Sequence, residues 1–153
     1  MNNLSPLLIS HVALLSDSYR HWLGKPLLAD GLQDIAAVEA LAQAPFAVVS
    51  HDTSPDPLFN YANQLALDLF EMGWGEFTAL PSRASAEPVN QSERAALLAQ
   101  VSQQGFIENY AGVRIAKSGR RFLIRNAIIW NLVDAEGRYR GQAALIREWL
   151  PLS

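Results

Sequence analysis

Two runs in the C-terminal half place polar and aromatic residues at alternate positions: Glu108, Tyr110 and Arg114 in one, Asn126 and Trp130 in the other. A strand sends alternate side chains to the same face, so each run gathers these groups on one side. A three-residue turn at Lys117-Ser118-Gly119, with Gly119 in the left-handed position as a bulge, brings the rows together. One face then carries Phe106, Glu108, Tyr110, Gly112 and Arg114 beside Phe122, Ile124, Asn126, Ile128 and Trp130. Aromatic walls with a few convergent polar groups are how a small-molecule pocket is furnished. Arg114 offers a charge-assisted donor to an acidic or carbonyl group, and Asn126 a neutral one. The same groups could instead satisfy one another, and a two-residue Ser118-Gly119 turn would set Asn109 beside Asn126. Trp74 and Arg83 belong to an irregular segment that could cross the mouth of such a pocket, where Arg83 either grips an anion or pairs with Glu87. The enzymatic alternative is a small isomerase or hydrolase with Glu108 or Glu87 as base beside Tyr110 and Arg114. Its mark would be a buried carboxylate of raised pKa facing a cavity.

Other chemistry finds less support. The chain has no cysteine, which excludes disulfides, thiolate metal sites and cysteine nucleophiles or photoadducts. His11 and His21 lie on the first helical segment and His51 in a turn after a strand, so no histidine is expected where a haem or a metal pair needs it. Ser50-His51-Asp52 cannot adopt triad geometry from consecutive positions, and Asp52, Asp56 and Asp68 lack a calcium-loop spacing. Asn60 and Asn63 suit a turn and a helix cap. Arg114, Lys117, Arg120, Arg121 and Arg125, interleaved with Tyr110 and Phe122, form the one basic cluster. Charges on a hairpin are usually solvated, and no nucleic-acid partner is expected.

At 153 residues the chain suits one domain. Twelve Lys and Arg against fifteen Asp and Glu leave a net charge of −3, with no general attraction to polyanions or anionic membranes. The N-terminus lacks an early basic cluster and its apolar run is interrupted by Ser5, Pro6, Ser10 and His11, reading as neither a signal peptide nor a span. The expectation is a cytoplasmic protein without a membrane partner.

The elements that must position these residues follow from periodicity. Ser5 can cap a helix opened by Pro6, along which Leu8, Val12, Leu15, Tyr19 and Trp22 form a seam. A second helix starts near Asp30, with Gln33 closing a capping box, and ends at Pro45. This helical extension, residues 1–43, precedes a core at 44–150. In the core, Phe46 to Ser50 and Leu58 to Tyr61 read as strands, and Asn63 caps a short helix ended by Gly73. A further helix starts at Asn90, boxed by Glu93, and stops at Gly105. Phe106 to Ile115, Arg121 to Val133 and Tyr139 to Glu148 then read as antiparallel strands. This is an α+β domain with one antiparallel sheet. Its outer face, with Ile107, Val113, Leu123 and Ile129, awaits the first helix or a two-fold copy, and a homodimer is expected.

The segment from Phe59-Asn60-Tyr61-Ala62-Asn63 to Leu69-Phe70-Glu71-Met72, then Trp74, Glu76-Phe77, Leu80-Pro81-Ser82-Arg83 and Ser85-Ala86-Glu87-Pro88, resembles the MEKHLA domain. Gly105-Phe106-Ile107, Asn109-Tyr110, Gly112-Val113-Arg114-Ile115, Gly119-Arg120-Arg121-Phe122 and Trp130-Asn131-Leu132 agree with it, so the likeness runs from about Leu7 to Ile146. The resemblance implies a PAS-like fold, a five-stranded sheet cradling a small-molecule cavity under short helices, and a regulatory or sensory role. Such domains stand alone in bacteria and close the plant class III homeodomain leucine-zipper proteins, whose homeodomain and zipper this sequence lacks. The hairpin also resembles that of light-sensing LOV domains. Matching it sets Arg114 and Ile124 where the two flavin-contacting asparagines would stand and Ala143 where the glutamine would, with Gln142 turned to the other face. LOV photochemistry is therefore not expected, haem is disfavoured, and the cofactor, if any, is left open.

Overall fold

The computed structural model describes residues 6–29 and 31–152, so the caps expected at Ser5 and Asp30 lie outside the described residues. Helix α1 spans Pro6–Leu23 and α2 spans Asp34–Ala42, entered from Gln33 without a side-chain cap. Strands β1 (Ala47–His51) and β2 (Phe59–Ala62) lead into α3 (Gln64–Phe70), α4 (Trp74–Phe77) and a 3-10 turn at Ser82–Ser85. Helix α5 (Pro88–Gln104) begins before the expected Asn90, because the fixed φ of Pro88 suits the first helical position. Then come β3 (Phe106–Ile115), β4 (Arg121–Val133), β5 (Tyr139–Ile146) and β6 (Glu148–Leu152).

One antiparallel sheet runs β2-β1-β5-β4-β3, with β6 also on β4. The α+β architecture is the expected one with a sixth strand added. β5 lies along Ile128 to Val133 of β4, and after Arg147 the chain resumes as β6 along Arg121 to Arg125. Pro151 hides this strand from a sequence reading, since proline fits only an edge, and β6 is one.

Helices cover both faces. On one, α3 to α5 enclose Val49, Phe59, Phe70, Phe77, Phe122 and Ile129. On the other, α1 and α2 pack Val12, Leu15, Tyr19, Val38 and Leu41 against Val48, Ile128, Trp130, Leu132 and Leu145. Tyr19 meets the Trp130 ring edge-on at 5.0 Å, and the Trp22 indole donates to the Asn131 carbonyl at 2.9 Å. Gly105, at φ +97°, leaves room for the Trp22 ring where a Cβ would stand.

The β3–β4 pairing corrects the expected faces. Gly119 does close the hairpin at φ +91°, and Arg114 pairs with Phe122 and Gly112 with Ile124 as expected. Further along, Asn109 (φ 59°) and Asn126 (φ 54°) each insert a left-handed residue, and Tyr110 pairs with Ala127. Each bulge reverses the alternation of its own strand. The pairing of Phe106 with Trp130 survives, yet both side chains turn to the α1 face, while Tyr110, Arg114, Phe122 and Ile124 stay on the α5 face. The outer face under α1 is accordingly built from Ile128, Trp130 and Leu132; Ile107 and Ile129 belong to the opposite core.

Candidate functional site

A cavity of about 50 Å³ lies between the sheet and helices α3 and α5, room for roughly three or four water-sized positions. Strand β1 lends Val49 and His51, β2 Phe59, α3 Phe70, and β4 Ile124 and Ile129. Its charged, imidazole and amide groups come from four elements far apart in sequence, Arg94 of α5, Arg114 of β3, His51 of β1 and Gln142 of β5, and Ser50 and Ser85 add hydroxyls. Among the described residues no Asp or Glu lines it, so the carboxylate that an isomerase or hydrolase would need is not in its wall.

Arg114 is 7% exposed and donates from Nη1 to its neighbour's carbonyl, Val113 O, at 2.8 Å and from Nη2 to the Tyr110 hydroxyl at 3.1 Å. Gly112 permits this: the Tyr110 ring folds back over it into the space a Cβ would take. The Tyr110 hydroxyl in turn donates to Glu93 Oε2 at 3.3 Å. Burial raises the Tyr110 pKa against the opposing charge of Arg114. Arg94 is 8% exposed; burial, and then the charge of Arg114, bring its pKa down to about 10, which leaves it protonated at neutral pH. His51 holds Nδ1 3.0 Å from the Asp52 carbonyl. A carbonyl only accepts, so Nδ1 carries the proton, and the buried Nε2 has no hydrogen-bond partner among the described residues. Burial pushes the His51 pKa down and keeps the ring neutral.

The expected site residues scatter. Tyr110 and Arg114 meet through a hydrogen bond, but of the two only Arg114 lines this cavity; Tyr110 lines the surface groove behind it. Trp130 is fully buried on the opposite face, beneath α1, and Asn126 is exposed at its bulge, donating to Glu148 at 2.8 Å. Glu108 is exposed on a surface groove with Glu93 and Ala111. Arg83 pairs with Asp56 at 3.0 Å rather than with Glu87, which takes Arg121. Trp74 packs edge-on against Tyr61, 42% exposed. Sequence reasoning missed Arg94, His51 and Gln142. A signal existed for Arg94, which stands four and seven residues before Leu98 and Val101, on the apolar stripe of α5. Gln142 corrects the expected strand register: it pairs with Asn131, faces α5, and its amide nitrogen lies 3.0 Å from the Leu98 carbonyl.

The basic cluster is also dispersed: Arg114 turns inward, Lys117 pairs with Glu76, Arg120 with Glu71 and Arg121 with Glu87. No group of metal-ligating side chains occurs among the described residues. The cavity of about 50 Å³ is several-fold smaller than the three fused rings of a flavin, and Arg114 and Ile124 stand in its wall. No described helix is long and apolar enough to cross a membrane.

Comparison with known proteins settles the family. The model of the MEKHLA domain family matches residues 9–151. The chain belongs to the MEKHLA family. It is 29% identical over 136 residues to the homeobox-leucine zipper protein REVOLUTA of Arabidopsis thaliana, an alignment covering 86% of this chain but 16% of that protein. The fold of this MEKHLA domain is PAS-like. It superimposes with a TM-score of 0.64 on the PAS domain of a protein from Colwellia psychrerythraea, at 14% identity, covering 72% of this chain and 91% of the other. A light-oxygen-voltage domain structure aligns at a TM-score of 0.61 and 23% identity, covering 78% and 87%.

Proposed function

We propose that this MEKHLA domain is a sensory or regulatory module that takes one small molecule into the cavity beneath α5, without catalysing a reaction on it. The observation that carries this reading is the cavity itself, where Arg94, Arg114 and His51 stand among mostly apolar walls, with no carboxylate among the described residues of the lining to act as a general acid or base. Tyr110 holds Arg114 in place and is the second of the expected residues kept in this proposal. The module works without LOV photochemistry and without haem; the absent cysteine and the small cavity support both.

The partner in this reading is a second copy. Val113, Leu123 and Leu150 stand side by side on β3, β4 and β6 and extend the outer face beyond α1, with Leu150 45% exposed. Net charge −3 and the paired arginines of the hairpin support a cytoplasmic protein with no nucleic-acid or membrane partner. Native mass spectrometry of protein purified from its own cells tests all of this at once. The expected result is a colourless dimer carrying one small molecule per chain. A bare monomer under every growth condition, or a visible absorption band at one equivalent, would overturn the reading.

A further inference from the structure

The charges in the cavity wall do not balance. Arg94 and Arg114 are each more than nine-tenths buried and line the same cavity. Neither takes part in an ion pair among the described residues. A guanidinium has five N–H donors. Arg114 uses its donors on one carbonyl and the Tyr110 hydroxyl, whereas no hydrogen bond from Arg94 to a described residue is formed. The carboxylate in this network, Glu93, is bonded to the Tyr110 hydroxyl and forms no ion pair with either arginine; its charge favours that of Arg94, but less than burial and Arg114 oppose it. A buried charge without a partner is strongly destabilising, and two like charges facing one cavity add to the cost. A fold retains such a pair when an anion completes it.

We propose that the cavity binds a short-chain carboxylate, its head group held by Arg94 and Arg114 and its tail against Phe59, Phe70 and Ile146. The inference rests on the cavity reading above and names its ligand class. Arg–carboxylate geometry is bidentate and supplies acceptors for the unused donors. The rest of the wall chooses among anions, because Val49, Phe59, Phe70, Ile124 and Ile146 offer nothing to the outer oxygens of a phosphate or sulfate, and the donors of Ser50, Ser85 and Gln142 are already used on Asn60, the Ser82 carbonyl and the Leu98 carbonyl. Volume sets the tail at a few carbons, since about 50 Å³ holds roughly three or four water-sized positions.

The test is calorimetric titration and thermal unfolding of the full chain with acetate, propionate, butyrate and hexanoate, set against propionamide and inorganic phosphate. One equivalent of propionate or butyrate should bind saturably and raise Tm, as a ligand of the folded state must, while propionamide and phosphate do neither. Arg94→Met should bind at least about tenfold more weakly, the loss of a charge-assisted pair. Without ligand its Tm should equal or exceed that of the parent, because a well-packed apolar side chain replaces a buried unpaired charge. Arg94→Lys, which keeps the charge and loses the fork, should bind at intermediate strength. The proposal is overturned if no carboxylate binds, if phosphate or the amide binds as well, or if Arg94→Met responds like the parent. A neutral molecule retained by the native protein would overturn this inference and leave the cavity reading standing; a chain that retains and binds nothing would end both.

Discussion

His11 of α1 lies 2.9 Å from the Ser50 hydroxyl of β1, one residue before His51 in the cavity wall. The Ser50 hydrogen goes to Asn60 Oδ1, so the His11 Nε2–H donates, and desolvation keeps the ring neutral. Helix α1 and the cavity therefore grip opposite sides of the same strand through two imidazoles, His11 half-buried and His51 buried.

Both rings make stability depend on pH. Burial lowers the His11 pKa from 6.5 to about 4 and lowers that of His51 as well. Below pH 6.5 the unfolded chain binds protons that the folded chain refuses, so stability falls as pH falls, and the His11 share is complete near pH 4. Each histidine contributes a slope of up to about 1.4 kcal/mol per pH unit. Urea midpoints measured between neutral pH and the His11 limit should drop steadily, and His11→Gln should flatten the drop. An equally steep fall in the variant would refute the assignment.

Asn63 is a structural hub. Its Oδ1 accepts from Val48 N and Ala66 N, and its Nδ2 donates to the Leu41 and Phe46 carbonyls, tying α2, β1 and α3 together. Asn63→Ala should cost about 3–5 kcal/mol, since buried partners are left unsatisfied. Asn63→Asp should do no better, because it sets a carboxylate oxygen against two carbonyls. A denaturation midpoint for either within the error of the parent would contradict this account.

Removing residues 1–24 should uncover Ile128, Trp130, Leu132 and Leu145, each worth about 1.5–3 kcal/mol when buried. Aggregation or a large loss of melting temperature is expected. A truncated chain that stays soluble with unchanged mass and Tm would show that the α1 seam contributes nothing.

The two bulges can be tested at Asn126. Glycine adopts its left-handed conformation without strain, whereas a β-branched residue pays for it. Asn126→Gly should be nearly neutral after the loss of its Glu148 contact, and Asn126→Val should cost about 1–2 kcal/mol more. Equal midpoints for the two variants would mean that the bulge is not held in this form.

The sequence by itself determined the order of the two leading helices, the first five strands and helices α3 and α5, the closed turn at Gly119, the helix cap at Asn63 and the pairing of Arg114 with Phe122, because each depends on neighbours a few residues away. It also excluded cysteine chemistry outright. Only the tertiary structure decided which face Trp130 occupies. Strand alternation is a local rule that holds until a bulge interrupts it, and asparagines at 109 and 126 look no different in sequence from asparagines in a regular strand. The same is true of the ion pairs: Arg83 met Asp56 and Glu87 met Arg121 because loops from different parts of the chain converge. The cavity is the extreme case. Arg94, Arg114, His51 and Gln142 come from a helix and three strands, and their meeting depends on the strand order β2-β1-β5-β4-β3 with α5 laid across it, a long-range arrangement that no spacing along the chain encodes.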